Sequence, residues 1–121
     1  MLPTKRRIKK DSFSEILKKG VFVHGTNLYL CLLPKNKAIL REKEENPSLF
    51  GFVVSSKVKK TAVGRHFIKR KLSASIEENL NSIKNGFYCL FFVKKDISTL
   101  PYLEIKTEVL NLLKKAKMLS E

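Results

Sequence analysis

Residues Gly51 to Ile76 read GFVVSSKVKKTAVGRHFIKRKLSASI, and their hydrophobic period changes partway along. At the start, Leu49-Phe50-Gly51-Phe52-Val53-Val54-Ser55 carries the aromatic and β-branched content of a strand. From Ala62 the period is helical, with Ile68, Leu72, Ile76 and Leu80 recurring at i+4 as one apolar stripe and Thr61 placed to cap the N-terminus. Arg65, His66, Lys69 and Arg70 share an arc of roughly 140° when plotted at about 100° per residue, so the helix has a core edge and a basic face. The whole stretch holds seven Lys or Arg and no acid. A segment that excludes carboxylates while keeping an apolar rhythm is suited to face phosphate.

The elements around it can be read outward. Residues 1–10 form a basic arm, expected to be flexible, with Lys5, Arg6, Arg7, Lys9 and Lys10 too closely spaced for one helix face. Ser12-Phe13-Ser14-Glu15 matches a capping box, and Phe13, Ile16 and Leu17 followed by Lys18-Lys19-Gly20 predict a short first helix. An extended segment from Val21 leads past His24-Gly25-Thr26-Asn27 to a strand at Leu28–Leu33, where Tyr29, Cys31 and Leu33 share one face and Leu28, Leu30 and Leu32 the other. Pro34 to Ser48 is a polar connection, which predicts that this strand and the one at Leu49 are antiparallel neighbours. Asn85-Gly86 predicts a turn, Phe87–Val93 a strand covered on both sides, and Thr99-Leu100-Pro101 the start of a last helix. The last helix would bury Tyr102, Ile105, Val109, Leu112 and Leu113, with Lys114, Lys115 and Lys117 suiting its C-terminal dipole. The predicted order is αββαβα, with room for one more short strand, in a single α+β domain.

Composition agrees with a polyanionic partner. Twenty-five basic residues against 11 acidic ones leave a net charge of +14 on 121 residues, enough to steer association with nucleic acid. No apolar run approaches the ~18–20 residues that span a bilayer, and no amphipathic segment carries a Trp anchor, so no membrane partner is expected. The basic N-terminus lacks the apolar core of a signal peptide, which points to a cytoplasmic protein. Cys31 and Cys89 sit in apolar runs and read as reduced, buried side chains, since neither CxxC nor HxxxH spacing is present for zinc. Of the two histidines, His24 lies in a turn-like segment and His66 in the basic helix with no acid nearby to partner it. The adjacent acids Glu44-Glu45 and Glu77-Glu78 diverge from each other and read as solvated surface groups. No catalytic residue and no metal site is therefore expected.

Phe50-Gly51-Phe52-Val53-Val54-Ser55-Ser56-Lys57-Val58, followed by Ala62-Val63-Gly64-Arg65-His66-Phe67-Ile68-Lys69-Arg70-Lys71-Leu72, resembles the protein subunit of bacterial ribonuclease P. The likeness runs through nearly the whole chain in the family's order of elements, with a basic arm over 1–10 and the family domain over 11–121. It departs where the family has Arg-Asn-Arg and this chain has Arg65-His66-Phe67, and where Ser55-Ser56-Lys57 stands for Ser-Lys-Lys. Phe67 supplies no guanidinium, so one contact is lost, moved to Lys71 or replaced by stacking.

The resemblance implies a four-stranded mixed sheet with a left-handed βαβ crossover, shared with domains of a small-subunit ribosomal protein and elongation factor G. Ordinary parallel crossovers have the opposite hand. It implies a protein that binds the ribonuclease P RNA subunit and the single-stranded 5′ leader of precursor tRNA. The RNA performs the endonucleolytic cleavage with Mg²⁺, and the protein alone is inactive, binds no cofactor tightly and needs no obligate protein partner. The RNA-binding residues implied are Lys57, Lys59, Lys60, Arg65, His66, Lys69, Arg70 and Lys71. Those for the leader are Phe13, Leu17, Tyr29 and Cys31, lining a cleft between the first helix and the sheet, although Phe13 by its helical position also reads as core packing. Replacing Arg65 or Arg70 by Ala is then expected to weaken assembly with little change in folding.

A ribosomal or other structural RNA-binding protein shares the charge and size, and only the signature over 51–71 separates the two. A DNA-binding transcription factor would want a helix-turn-helix pair, whereas the basic helix here is flanked by strands.

Overall fold

Phe87–Val93 is the strand on which the rest of the molecule is assembled, since five of its seven residues are buried. The computed structural model describes residues 2–35 and 47–119. In chain order the elements are α1 (Phe13–Lys19), β1 (Val21–His24), β2 (Leu28–Pro34), β3 (Leu49–Val53), α2 (Ala62–Glu78), β4 (Phe87–Val93) and α3 (Tyr102–Lys115). The short strand for which the sequence left room is β1.

The sheet order is β1-β2-β4-β3, with β1, β2 and β4 successively antiparallel and β3 parallel to β4. This corrects the expectation that β2 and β3 are neighbours. The two are consecutive in the chain, but β4 is apolar on both faces and takes the interior position, which leaves β3 as an edge. The polar connection between them lies mostly outside the described residues.

Pairing divides the side chains as the alternation of β2 predicts. Leu28 and Leu30 join Phe50, Cys89, Phe91 and Val93 under α2 and α3, which contribute Ile68, Leu72, Ile76, Ile105, Val109, Leu112 and Leu113. On the other face Cys31, Leu33, Tyr88 and Leu90 pack with Ile16 of α1 and Ile8 of the arm. Thr61 caps α2 as expected, its hydroxyl accepting from the Gly64 N–H at 3.0 Å. At the other end Leu80 leaves the helix for a short 3-10 turn over Leu80–Ser82.

Two local expectations fail. Ser12 has helical dihedrals and makes no side-chain cap, because a 3-10 turn over Lys10–Ser12 already leads into α1. Glu15 instead pairs with Lys19, at 3.3 Å. The arm also does not stand free of the domain: Leu2 and Ile8 are buried, and the Ile8 N–H donates to the Phe50 carbonyl at 2.9 Å. Arg7 and Phe50 form a parallel bridge, so the arm lies along the outer edge of β3. Its two aliphatic residues, hidden among five cations, are what dock it.

Gly20 ends α1 in extended backbone rather than the left-handed conformation, and its role is proximity. A Cβ there would fall 2.5 Å from Cys31 Sγ and 2.6 Å from the Ile16 carbonyl oxygen. Gly20→Ala is expected to lift α1 off β2 and to cost about 1–3 kcal/mol, as overpacking does. Urea denaturation would show it, and an unchanged midpoint would mean that the helix end shifts freely.

Candidate nucleic-acid interface

The loop before α2 and the first turns of that helix carry the basic residues picked out by their periodicity. Arg65 turns back toward the preceding loop. Its Nη1 donates to the carbonyls of Lys59 at 2.9 Å and Lys60 at 2.8 Å, so the guanidinium closes the loop onto the helix. The expected separation of binding from folding is therefore corrected at this residue. Arg65→Ala should lower stability by about 1–2 kcal/mol, the range for charge-assisted hydrogen bonds at a half-exposed site, while Arg70→Ala should leave the melting temperature unchanged. Equal melts for the two variants would contradict this division.

Lys59 is held as well, its Nζ lying 3.2 Å from Asp96 Oδ2 and 3.2 Å from the Ser98 hydroxyl. Hydrogen bonds from the Ser98 side chain and backbone, and then Lys59, bring the Asp96 carboxyl down to about 2. A lowered carboxylate contributes stability above the ordinary value of 3.8 that is lost as the pH falls through about 2, so this anchor persists in mild acid. Lys57, Lys60, Lys69 and Arg70 form no ion pair among the described residues, and His66 is exposed. Lys71 folds back over Phe67, its Nζ 4.4 Å from the ring centroid. Seven of the eight residues thus lie along the loop before α2 and the first half of that helix, and the eighth, Arg65, braces the junction between the two.

The second set lies across the sheet face that α1 covers only in part. Tyr29 of β2 stacks on Phe92 of β4, with centroids 4.7 Å apart and planes at 5°. Phe22 and His24 of β1 continue the row, 5.9 and 5.4 Å from the Tyr29 ring. Lys94 Nζ stands 5.8 Å over Tyr29 and is held there by the Gly25 carbonyl at 3.0 Å. Four rings from three strands and a positioned ammonium make a surface on which unpaired bases can stack.

Leu17 is 40% exposed on α1, and Phe13 is half-buried against the Ile8 and Ile16 cluster. Phe13 also lines a cavity of about 160 Å³ with Arg7, Lys10, Phe52 and Lys69. Its core role and a cationic surrounding therefore coexist. Cys31 is removed from the binding set: it has no exposed surface, α1 roofs it, and its thiol donates to the Ile16 carbonyl at 3.3 Å. Burial raises its pKa, and that of Cys89 far more, so both are inert free thiols.

Sequence reasoning missed Phe92, Phe22, His24 and Lys94. Phe92 was hidden in a run that reads as doubly covered, and Phe22 and His24 depend on β1 pairing in register with β2.

Glu78 accepts from Lys106 at 2.7 Å and from the Tyr102 hydroxyl at 2.9 Å, contacts that lower its pKa, while burial and then the Glu78 carboxylate raise that of Tyr102 to about 12. Glu44 and Glu45 lie outside the described residues. Among the described residues no three His, Cys, Asp or Glu side chains converge as metal ligands, and no helix is long and apolar enough to cross a membrane.

Comparison with known proteins places these surfaces in context. The sequence model of the family described as ribonuclease P matches residues 2–117. The ribonuclease P protein component of Pseudanabaena sp. (strain PCC 6903) is 33% identical over 120 residues, 98% of this chain and 97% of its own length. That of Clostridium botulinum (strain Eklund 17B / Type B) is 35% identical over 114 residues, 91% of this chain and 87% of its own. The fold superposes on the RNase P protein of Staphylococcus aureus with a TM-score of 0.78 and 24% identity, over 95% of this chain and 98% of that one.

Proposed function

Because the chain belongs to the ribonuclease P protein family, we propose that it is the protein component of a ribonucleoprotein endonuclease that removes the 5′ leader of precursor tRNA. The basic start of α2 takes phosphates of the ribonuclease P RNA subunit, and the ring row on β1, β2 and β4 takes the unpaired leader. The single observation that carries this reading is the placement of a stacking surface and a cationic helix start on one small domain of that family.

Cleavage belongs to the RNA subunit. The protein's residues supply position: Lys57, Lys60, Lys69 and Arg70 neutralise phosphates of the RNA subunit, and Tyr29 and Phe92 hold bases in line without reading their edges. Mg²⁺ supplies the hydrolytic chemistry when bound by the RNA; the described side chains offer no convergent set of ligands for it. The same reading makes the protein cytoplasmic.

The test is reconstitution. Purified protein, ribonuclease P RNA and precursor tRNA are mixed at low Mg²⁺, and leader release is measured with each component omitted in turn. Protein-dependent cleavage that vanishes without the RNA is expected. Cleavage by the protein alone would overturn the division of labour, and no stimulation would favour a purely structural RNA-binding role.

A further inference from the structure

The helix face that carries Arg70 also carries apolar surface that the core does not use. Val63 is 82% exposed and Phe67 46%, one turn apart on α2, although the buried stripe of that helix runs along Ile68, Leu72 and Ile76. Phe67 stays this open even with the Lys71 ammonium drawn over its ring, 3.5 Å from the carbonyls of Ser98 and Leu100. Beside it lies a cavity of about 270 Å³ walled by Phe67, Arg70, Lys71, Ala74 and Tyr102. Two aromatic side chains and two cations thus bound one shallow recess. Glu78, at the Tyr102 end of the recess, is engaged by the Tyr102 hydroxyl and by Lys106, and Arg70 forms no ion pair among the described residues.

We propose that this recess receives an unpaired nucleobase of the partner RNA, stacked on Phe67, with its phosphate on Arg70. An aromatic surface beside cations matches a nucleotide: the base offers a π-face and the phosphate a charge. A protein partner would find only a small apolar patch in a strongly positive field. Phe67 thereby contributes stacking where its neighbours contribute charge, and the RNA must present a base there that is free to leave its helix.

The inference rests on the reading of the chain as an RNA-binding subunit, and one experiment separates the two. Affinity for transcribed ribonuclease P RNA is measured across a salt series for the wild-type protein, Phe67→Leu, Phe67→Tyr and Phe67→Arg, with melting curves for each. Phe67→Leu is expected to lose about 5- to 150-fold in affinity at every salt concentration with an unchanged salt slope. Phe67→Tyr should bind as the wild type does. Phe67→Arg should steepen the slope by about 0.7–0.9, the increment for one added phosphate contact. If Phe67→Leu binds as tightly as the wild type, or if its loss fades at low salt, stacking is overturned while the RNA reading stands. A wild-type protein that prefers no structured RNA over a scrambled one removes both.

Discussion

Glu108→Ala is expected to destabilise the domain by about 3–5 kcal/mol, a large part of the total for a chain of this size. The Glu108 carboxylate accepts from the backbone N–H groups of Asn27 at 2.7 Å and Leu28 at 2.8 Å and from the Asn27 side-chain amide at 2.9 Å. These groups lie some 80 residues away in sequence, at the turn between β1 and β2. Alanine would leave three donors at a part-buried site without the acceptor they share. Gly25 makes room for the arrangement, since a Cβ on it would stand 2.8 Å from Glu108 Oε2. Glu108→Gln should recover part of the loss, because the amide oxygen still accepts while its NH₂ faces other donors. Chemical denaturation would measure both. A loss of under about 0.5 kcal/mol for the alanine variant would mean that water serves the turn equally well.

Tyr29→Ala is expected to lower affinity for precursor tRNA by about 5- to 150-fold while leaving affinity for mature tRNA nearly intact. Tyr29 is the hinge of the ring row: it stacks on Phe92 and also touches Phe22 and His24, so its removal separates two surfaces rather than trimming one. Tyr29→Phe should behave as the wild type, because the ring, not the hydroxyl, supplies the stacking. The lost aromatic pair would also cost about 0.5–1.5 kcal/mol of stability, which melting curves would separate from binding. Equal weakening toward both tRNAs would show that Tyr29 serves the fold and not the leader.

Periodicity made the helices legible, together with the two faces of β2 and the cap at Thr61. It could not order the strands, because nearness in sequence favours pairing β2 with β3, whereas burial on both faces drives β4 between them. The apolar run at Phe87–Val93 already implied an interior strand, and giving it two neighbours would have excluded the simple hairpin. The site was half legible for a related reason. Alternation places Tyr29 and Cys31 on the same face but does not say how far α1 extends over that face, and the roof ends between them. Likewise the helical wheel puts Arg65 on the basic arc, yet the length of its side chain lets the guanidinium turn back to the preceding loop.

The interior place of β4 also bears on how the protein is made. Translation delivers the N-terminal arm, α1, β1 and β2 first, and two of these depend on an element still unsynthesised: the arm, whose Ile8 bonds to Phe50 of β3, and β2, which pairs with β4. The sheet cannot close until Val93 has left the ribosome, so most of a strongly cationic chain emerges without its native pairings, beside the ribosome's own RNA. A nascent chain truncated before Phe87 should therefore remain sensitive to protease, and protection should arise in one step once β4 is free.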